Sequence, residues 1–269
     1  MRTEYNFLAR VVEERRRDIE EIKKRISQDE IKEVVSHSGR HRSLIALLKA
    51  SKETMVPAII AEVKKGSPSA GVIRSDYNPG EIAQSYEESG AVAISVLTEP
   101  RYFFGSLDDL EDVKRVTRLP VLRKDFITDV FHLYESSLAG ADVVLLIAAT
   151  MDFAQLREMY VVAQAIGLEV IVEVHSAEEL EMALPLTNAI IGVNNRNLVT
   201  LKTNLKVSRE LARYIPADRL SISESGISIP GEIQELRSLG YAGFLIGESL
   251  LRYNNPGVAL RILTGKQRK

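Results

Sequence analysis

Two charged residues interrupt apolar segments that otherwise have the character of buried strands. Lys124 follows the apolar run 120–122 closely, and Glu173 lies within the run 168–175, two residues beyond Ile171 and on the same strand face. An ionised group in a buried strand costs on the order of several kcal/mol unless it is paired. A lysine and a glutamate at the ends of two strands therefore predict a site that carries out acid–base chemistry.

Other apolar runs end in polar residues in the same way. These residues are Glu62 and Lys64 at the end of run 58–63, Asn194 and Arg196 after run 189–193, and Glu224 and Ser225 after run 219–223. Glu62 lies inside its run, and the others follow theirs. The shared bias predicts catalysis, and the alternative is a structural ion-pair network at one end of the sheet.

Two glycine-containing turns predict a phosphate site. Ser225-Gly226-Ile227 follows one apolar run, and Gly247-Glu248-Ser249 follows the last run and opens a short helix. Glycine lets backbone N–H groups approach an anion, and a helix N-terminus adds a favourable dipole. The alternative is two tight turns that need glycine for steric reasons, and the Glu248 carboxylate must point away from a bound anion.

The elements that would position these residues alternate regularly along the chain. Apolar strand patterns and amphipathic helix patterns follow one another from residue 58 onward. The predicted strands are 58–63, 91–97, 120–123, 142–147, 169–174, 189–193, 219–223 and 242–246. Eight such units predict an α/β fold of the (β/α)₈ TIM-barrel type, with its active site at the carboxyl ends of the strands. The alternative is a doubly wound open sheet, but no G-x-G-x-x-G motif follows Val63.

An N-terminal extension precedes the repeating part. Apolar residues recur at helical spacing from Glu4 to Ser27, and 31–35 and 44–49 predict two shorter helices. The run Arg15–Arg17 is flanked by glutamates, which indicates a solvated helix face. We expect one domain over residues 1–269, in which 1–50 form the extension.

Composition excludes several classes of partner and chemistry. The formal net charge is -2 and the pI is about 6.2, so no basic field attracts nucleic acid or an anionic membrane. There is no cysteine to form a disulfide, a thiolate metal site or a nucleophile. The four histidines, His37, His41, His132 and His175, have no metal-binding spacing. We expect a cytoplasmic protein, most simply a monomer, that uses no metal or cofactor and no membrane segment.

Eight segments in chain order resemble the indole-3-glycerol phosphate synthase family, in its stand-alone form. They are Ala61-Glu62-Val63-Lys64-Lys65-Gly66-Ser67-Pro68-Ser69, Ser95-Val96-Leu97-Thr98-Glu99, Phe103-Phe104-Gly105-Ser106, Leu122-Arg123-Lys124-Asp125-Phe126-Ile127, Val172-Glu173-Val174-His175, Gly192-Val193-Asn194-Asn195-Arg196-Asn197-Leu198, Ser223-Glu224-Ser225-Gly226-Ile227 and Ile246-Gly247-Glu248-Ser249-Leu250. One such motif is a weak signal, and eight collinear motifs are specific.

The resemblance implies ring closure of 1-(2-carboxyphenylamino)-1-deoxyribulose 5-phosphate to indole-3-glycerol phosphate, with loss of CO₂ and water. It implies a barrel whose extension, residues 1–50, covers the catalytic face. The implied catalytic residues are Lys124 as general acid, Glu173 as second acid or base, Lys64 on the substrate carboxylate, and Glu62, Asn194 and Glu224 as groups that hold the others and the sugar hydroxyls. The implied substrate-binding residues are Ser67, Arg196 and Glu248, with Phe103 and Phe126 on the aromatic ring and Ser225, Gly226, Gly247 and Ser249 on the phosphate.

The residues themselves predict the direction of one pKa shift and leave two alternative functions open. Burial and a neighbouring cation are expected to lower the pKa of Lys124 toward neutrality, where an acid works best. Another phosphosugar isomerase or aldolase would share the two phosphate turns, and a catalytically silent barrel would lack at least one acid or base. Gly66 and Phe104 depart from the family pattern, in which a bulkier and a more polar residue are expected.

Overall fold

Eight parallel strands close into a barrel in the computed structural model, which describes residues 7–35, 41–54 and 56–265. The strands are β1 (Ala58–Val63), β2 (Ala93–Leu97), β3 (Val121–Lys124), β4 (Val143–Ile147), β5 (Glu169–Val174), β6 (Ile190–Asn194), β7 (Ser221–Glu224) and β8 (Gly243–Ile246). Each pairs with its neighbours in chain order, and β8 pairs with β1. The predicted (β/α)₈ barrel is confirmed.

The described helices either follow the strands or belong to the extension. They are α1 (Phe7–Lys23), α2 (Gln28–Val35), α3 (Leu44–Thr54), α4 (Pro79–Glu88), α5 (Leu107–Val116), α6 (Val130–Leu138), α7 (Phe153–Ala165), α8 (Ala177–Ala183), α9 (Lys206–Leu211), α10 (Pro230–Ser238), α11 (Glu248–Leu251) and α12 (Pro256–Thr264). Some strands begin up to two residues later than predicted. Ala91 illustrates the cause. Its N–H donates to Tyr86 O and therefore belongs to the C-terminal cap of α4, so the strand begins later.

Sequence analysis missed a short antiparallel hairpin, Gly66–Ser67 with Gly71–Val72, in the loop after β1. It also extended the first helix to Ser27, four residues beyond the end of α1 at Lys23, and residues 4–6 of that predicted helix lie outside the described residues. Ser27 separates the two helices with a capping box: its Oγ accepts from Glu30 N at 3.2 Å, and the Glu30 carboxylate accepts from Ser27 N at 2.8 Å.

The extension divides between the two ends of the barrel. Phe7 of α1 packs edge-on against Tyr102, in the loop after β2, with ring centroids 5.1 Å apart. Ser51 of α3 donates to Ala242 O, just before β8, at 2.8 Å. The sequence described all of 1–50 as a cover for the catalytic face, whereas the contacts of α3 lie at the opposite end. Leu44 and Leu48 explain this position, because they complete the apolar interior where the strands begin.

Candidate active site

A cavity of about 350 Å³ opens at the carboxyl ends of the barrel strands. It is lined by Glu62, Lys64, Leu97, Phe103, Lys124, Asp125, Phe126, Leu145, Ile147, Glu173, Asn194, Arg196, Leu198, Thr203, Ser225, Gly226, Ile227, Ser228, Leu245, Ile246, Gly247, Glu248, Ser249 and Arg252. Every site residue named from the sequence lies in this set except Glu224 and Ser67. Glu224 is fully buried beside the cavity, and Ser67 is buried in the hairpin after β1, where its Oγ accepts from Ala70 N. The strand-end residues therefore converge on one space, as their positions predicted.

Charged groups of alternating sign meet on one side of the cavity. Lys124 Nζ at the end of β3 donates to Glu173 Oε2 of β5 at 2.9 Å and lies 3.4 Å from Glu224 Oε2 of β7. Lys64 Nζ donates to Glu62 Oε1 at 2.6 Å. All five side chains are largely removed from solvent, so the charges act on one another through a medium of low dielectric constant.

The pKa of Lys124 differs from the sequence expectation. Burial alone lowers the pKa of this ammonium group, but the carboxylates of Glu173, Glu224 and Glu62 outweigh burial and raise its pKa above the ordinary lysine value. The expected lowering toward neutrality was wrong. Sequence analysis recognised one opposing carboxylate and a neighbouring cation, and it did not anticipate that three carboxylates surround the ammonium.

The two carboxyls nearest Lys124 have different environments. Burial raises the pKa of Glu173, but Lys124 and His175 outweigh burial and leave its pKa below the ordinary value. Burial raises the pKa of Glu224 to about 7, assisted by repulsion from Glu173 and opposed by Lys124. Glu173 is therefore held as a carboxylate, while Glu224 titrates near neutral pH.

Two glycines, one on β6 and one directly after β8, give the carboxylates their space. A methyl group on Gly192 of β6 would overlap Glu224 Oε1 and lie 2.7 Å from Ile171 Cγ2. A methyl group on Gly247, after β8, would overlap Glu62 Oε1 in the same manner. Gly247 was predicted as a phosphate-binding residue, and its position also admits the buried carboxylate of Glu62.

Gly192→Ala is expected to lower kcat/KM about a hundredfold, because displacing a catalytic group by about 1 Å has an effect of this size. Steady-state kinetics check the prediction, and circular dichroism checks that the barrel is intact. Gly231→Ala is the matched control: a methyl group there meets no atom within 4 Å, so wild-type kinetics are expected. Wild-type kcat/KM in Gly192→Ala would contradict the packing argument.

The turn after β7 has the backbone geometry of an anion-binding loop. Ser225 and Gly226 both adopt left-handed conformations, with φ of 65° and 80°. Asn195 fixes this turn, since its Nδ2 donates to Glu224 O at 2.9 Å and to Ser225 O at 3.2 Å. Sequence analysis missed the role of Asn195, which lies next to Asn194 in the same motif. Ser249 faces the turn and donates its hydroxyl to Ile227 O at 2.9 Å.

The Glu248 carboxylate is paired with two arginines, so its charge is compensated beside the predicted phosphate turns. Arg252 Nη2 donates to Glu248 Oε1 at 2.6 Å, and Arg196 Nη2 lies 3.4 Å from Glu248 Oε2. Burial raises the pKa of Glu248, but Arg252, Lys64 and Arg196 outweigh burial and lower it. Arg252 was not predicted, because a single arginine at (i, i+4) to a glutamate is a common surface pattern on helices.

An aromatic wall closes the other side of the cavity. Phe103 and Phe126 lie with ring centroids 6.3 Å apart, and Phe7 of α1 packs behind Phe126 at 6.4 Å. The aliphatic lining residues were missed. Leu145 and Ile147 alternate along β4 and were interpreted only as core, although alternation in a barrel strand also faces residues inward.

Gly66 and Phe104, the two positions expected to depart from the family pattern, lie next to each other in space. A methyl group on Gly66 would overlap Gly71 O in the same hairpin and would lie 2.7 Å from Phe104 Cδ2, so the hairpin backbone and the Phe104 ring both occupy the space that a larger residue would need. Phe104 itself has a left-handed backbone with φ of 56°. The glycine and the phenylalanine therefore form one contact between the loops after β1 and β2.

Neither a membrane-spanning helix nor a metal-binding cluster occurs in the described ranges. No helix in 7–35, 41–54 and 56–265 is long and apolar enough to cross a membrane. In the same ranges, no group of three or more His, Cys, Asp or Glu side chains is arranged to hold a metal ion. His37, one of the four histidines considered above, lies outside the described residues.

The fold and the cavity define a (β/α)₈-barrel enzyme whose acid–base groups lie at the carboxyl ends of the strands. A family model described as Indole-3-glycerol phosphate synthase matches residues 8–263. The chain belongs to the indole-3-glycerol phosphate synthase family, whose members are carboxy-lyases of tryptophan biosynthesis. The resemblance drawn from the eight motifs is thereby confirmed.

Several curated relatives carry that name. The protein from Polaromonas sp. (strain JS666 / ATCC BAA-500) is 42% identical over 260 residues, covering 97% of this chain and 98% of its own. The protein from Carboxydothermus hydrogenoformans is 44% identical over 262 residues, covering 96% and 99%. Among solved structures, N-acetylmannosamine-6-phosphate 2-epimerase from Clostridium perfringens has a TM-score of 0.57 at 15% identity, covering 84% of this chain and 99% of its own. At that identity the structural likeness shows the barrel fold alone.

Proposed function

We propose that the protein converts 1-(2-carboxyphenylamino)-1-deoxyribulose 5-phosphate to indole-3-glycerol phosphate, CO₂ and water. The observation that carries the proposal is the Lys124–Glu173 ion pair, 2.9 Å long, in a cavity with an aromatic wall and a left-handed glycine turn. The cavity volume of about 350 Å³ lies in the range of small-molecule sites. Family membership supports the same reaction.

The lining divides into regions that match the parts of the substrate. The aromatic ring lies against Phe103 and Phe126, and its carboxylate pairs with Lys64. The phosphate lies against the backbone of Ser225 and Gly226 on one side and of Gly247 and Ser249 on the other, an arrangement common after the last two strands of such barrels. Holding both ends folds a flexible chain so that the ring faces the ketose carbonyl, which supplies much of the rate by proximity.

Lys124 acts first, as the general acid. The ring carbon that bears the carboxylate attacks the carbonyl carbon, and the carbonyl oxygen takes a proton from the Lys124 ammonium. The raised pKa of Lys124 is compatible with this role, because the alkoxide that forms is far more basic than an amine. Its positive charge also stabilises the developing oxyanion in a site that largely excludes water.

Decarboxylation then restores the aromatic ring and asks little of the protein. In the dehydration step, the new hydroxyl receives a second proton and leaves as water, while the substrate loses one proton to Glu173. The lowered pKa of Glu173 suits a base. The oxygen that leaves as water takes up two protons in all, and the substrate gives one proton back during dehydration. The reaction therefore consumes one proton from solvent, which balances the negative charge of the carboxylate that leaves as neutral CO₂.

The other predicted residues hold these groups and the substrate. Glu62 fixes the Lys64 ammonium, and Asn194 favours the ionised form of the Glu173 carboxylate. Glu224 balances the charge of Lys124. Arg196 and Glu248 close the side of the cavity near the phosphate turns, and Ser67 supports the hairpin next to Lys64.

The proposed reaction is tested by incubating the protein with the anthranilate-derived ketose phosphate. Indole fluorescence is expected to appear together with one equivalent of CO₂ per product. Because the chain contains no tryptophan, the background fluorescence of the protein comes mainly from tyrosine and does not mask the indole emission of the product. Absence of both signals from a folded protein would refute the proposal. Cytoplasmic location, monomeric state and the absence of nucleic-acid or membrane partners stay predictions from the sequence.

A further inference from the structure

His175 lies behind Glu173, on the side away from Lys124. It is the first residue after β5, and its Nε2 lies 3.5 Å from Glu173 Oε1. Its other ring nitrogen, Nδ1, lies 3.2 Å from Glu179 Oε2 in α8, and its backbone N–H donates to the same oxygen at 2.8 Å. The imidazole is therefore fixed at one edge by α8 and directs its other edge at the proposed base.

The two atoms that face each other have no other partner. Glu173 Oε1 and His175 Nε2 are both buried and lack any hydrogen bond to the described part of the chain. A buried polar atom without a partner costs on the order of 1–3 kcal/mol. A proton on Nε2 places a charged N–H 3.5 Å from Glu173 Oε1, and a proton on Nδ1 satisfies Glu179, so the doubly protonated ring fits both contacts.

The surrounding charges favour that protonated ring. Glu173 of β5, Glu179 of α8 and Glu224 of β7 all act on His175, and each is a carboxyl group. Burial alone lowers the pKa of His175, but these carboxyls outweigh burial and raise it. Positive and negative groups thus alternate from Lys124 through Glu173 and His175 to Glu179.

We propose that His175, held by Glu179, is a positioning residue that fixes the Glu173 carboxylate through Nε2 and keeps it ionised and directed at Lys124. The Lys124 contact occupies Oε2 and the His175 contact occupies Oε1, so the carboxylate is held from both sides. Without His175, the carboxylate is free to rotate about its last bond and loses one of two neighbouring cations. The inference rests on the proposed role of Glu173, and it concerns no atom that touches substrate.

Two substitutions distinguish the contribution of Nδ1 from that of Nε2. The amide of asparagine overlaps the position of Nδ1, whereas the amide of glutamine overlaps that of Nε2. In His175→Asn we expect kcat to fall about tenfold or more, the effect of losing one hydrogen bond to a charged group, with little change in KM. In His175→Gln we expect kcat within about threefold of wild type. Equal kcat in His175→Asn and wild type would overturn the proposal.

A titration without substrate keeps this test independent of the proposed reaction. NMR of the imidazole in the full chain is expected to give His175 a pKa above 6.5 that falls in Glu173→Gln and in Glu179→Gln. With a raised pKa, the stability contributed by His175 is fully present below pH 6.5 and is lost as the pH rises through the folded-state value. A His175 pKa unchanged by Glu173→Gln would refute the contact, whether or not the protein makes indole-3-glycerol phosphate.

Discussion

Lys124→Met is expected to lower kcat by about 10²–10⁴, the contribution of a positioned general acid. Methionine keeps an unbranched side chain of similar length and removes the ammonium, so the cavity retains its shape while the carbonyl oxygen loses its proton donor. In the proposed mechanism substrate binding depends mainly on Lys64, the aromatic wall and the phosphate turns, so KM should change much less than kcat. Steady-state kinetics with the ketose phosphate measure both constants.

The same substitution should change the dependence of stability on pH. Without the ammonium, Glu173 and Glu224 remain buried together, and their mutual repulsion raises their pKa values. The folded variant then binds more protons than the unfolded chain above pH 4.5, the ordinary glutamate pKa, so its stability relative to wild type falls as pH rises. Thermal unfolding of Lys124→Met and wild type from pH 5 to 8 tests whether the stability difference grows with pH, as expected.

Lys206→Met is the matched control for Lys124→Met. Lys206 lies on α9 with its side chain 68% exposed, and its pair with Glu210 is a surface contact of small energetic value. Wild-type kinetics are expected. If Lys124→Met turned over substrate like the control, Lys124 would not be the general acid.

Sequence analysis found the end of the barrel that carries the candidate site because buried charge is rare. Lys124 and Glu224 follow apolar runs and Glu173 lies within one, and a closed parallel barrel brings the ends of all such runs together. Neither step requires knowledge of side-chain contacts. The fold and the convergence of the strand ends were therefore accessible from the pattern alone.

The directions of the pKa shifts in the site could not be predicted from the sequence pattern. The sign of the shift in the Lys124 pKa depends on whether carboxylates or cations lie within a few ångströms, and other strands of the barrel contribute them from distant parts of the chain. Gly192 provides a second example. Its role is to make room for a side chain of the neighbouring strand, and no local pattern indicates this.

The run Arg15–Arg17 in α1 is a third example of a contact that the sequence pattern could not predict. The sequence indicated a solvated face, and Arg16 and Arg17 are indeed exposed, but Arg15 is buried and paired with Asp125. Asp125 directly follows Lys124, so this pair connects the extension to the strand that carries the proposed acid. A helix pattern cannot predict which of three adjacent arginines finds a partner that lies 110 positions away.

Asp125→Asn is expected to lower the free energy of unfolding by about 3–5 kcal/mol, the effect of removing one member of a buried ion pair. Asp125 Oδ2 accepts from Arg15 Nη2 at 2.8 Å and from Arg123 Nη2 at 3.0 Å. Asparagine preserves the shape of the side chain but leaves two buried guanidinium groups with less compensation. Denaturant unfolding measures the loss, and Asp112→Asn, which breaks an exposed pair with Arg115, should cost below about 1 kcal/mol.

The pH dependence of that loss distinguishes a charge effect from a packing effect. Burial raises the pKa of Asp125, but Arg15 and Arg123 outweigh burial and hold its pKa well below the ordinary value of 3.8. Its contribution to stability is therefore fully present above pH 3.8 and declines as the pH falls below it, so the difference between wild type and Asp125→Asn should narrow in acid. A difference that stayed constant from pH 7 to pH 3 would show that packing, and not the charge shared with Arg15, anchors α1 beside Lys124.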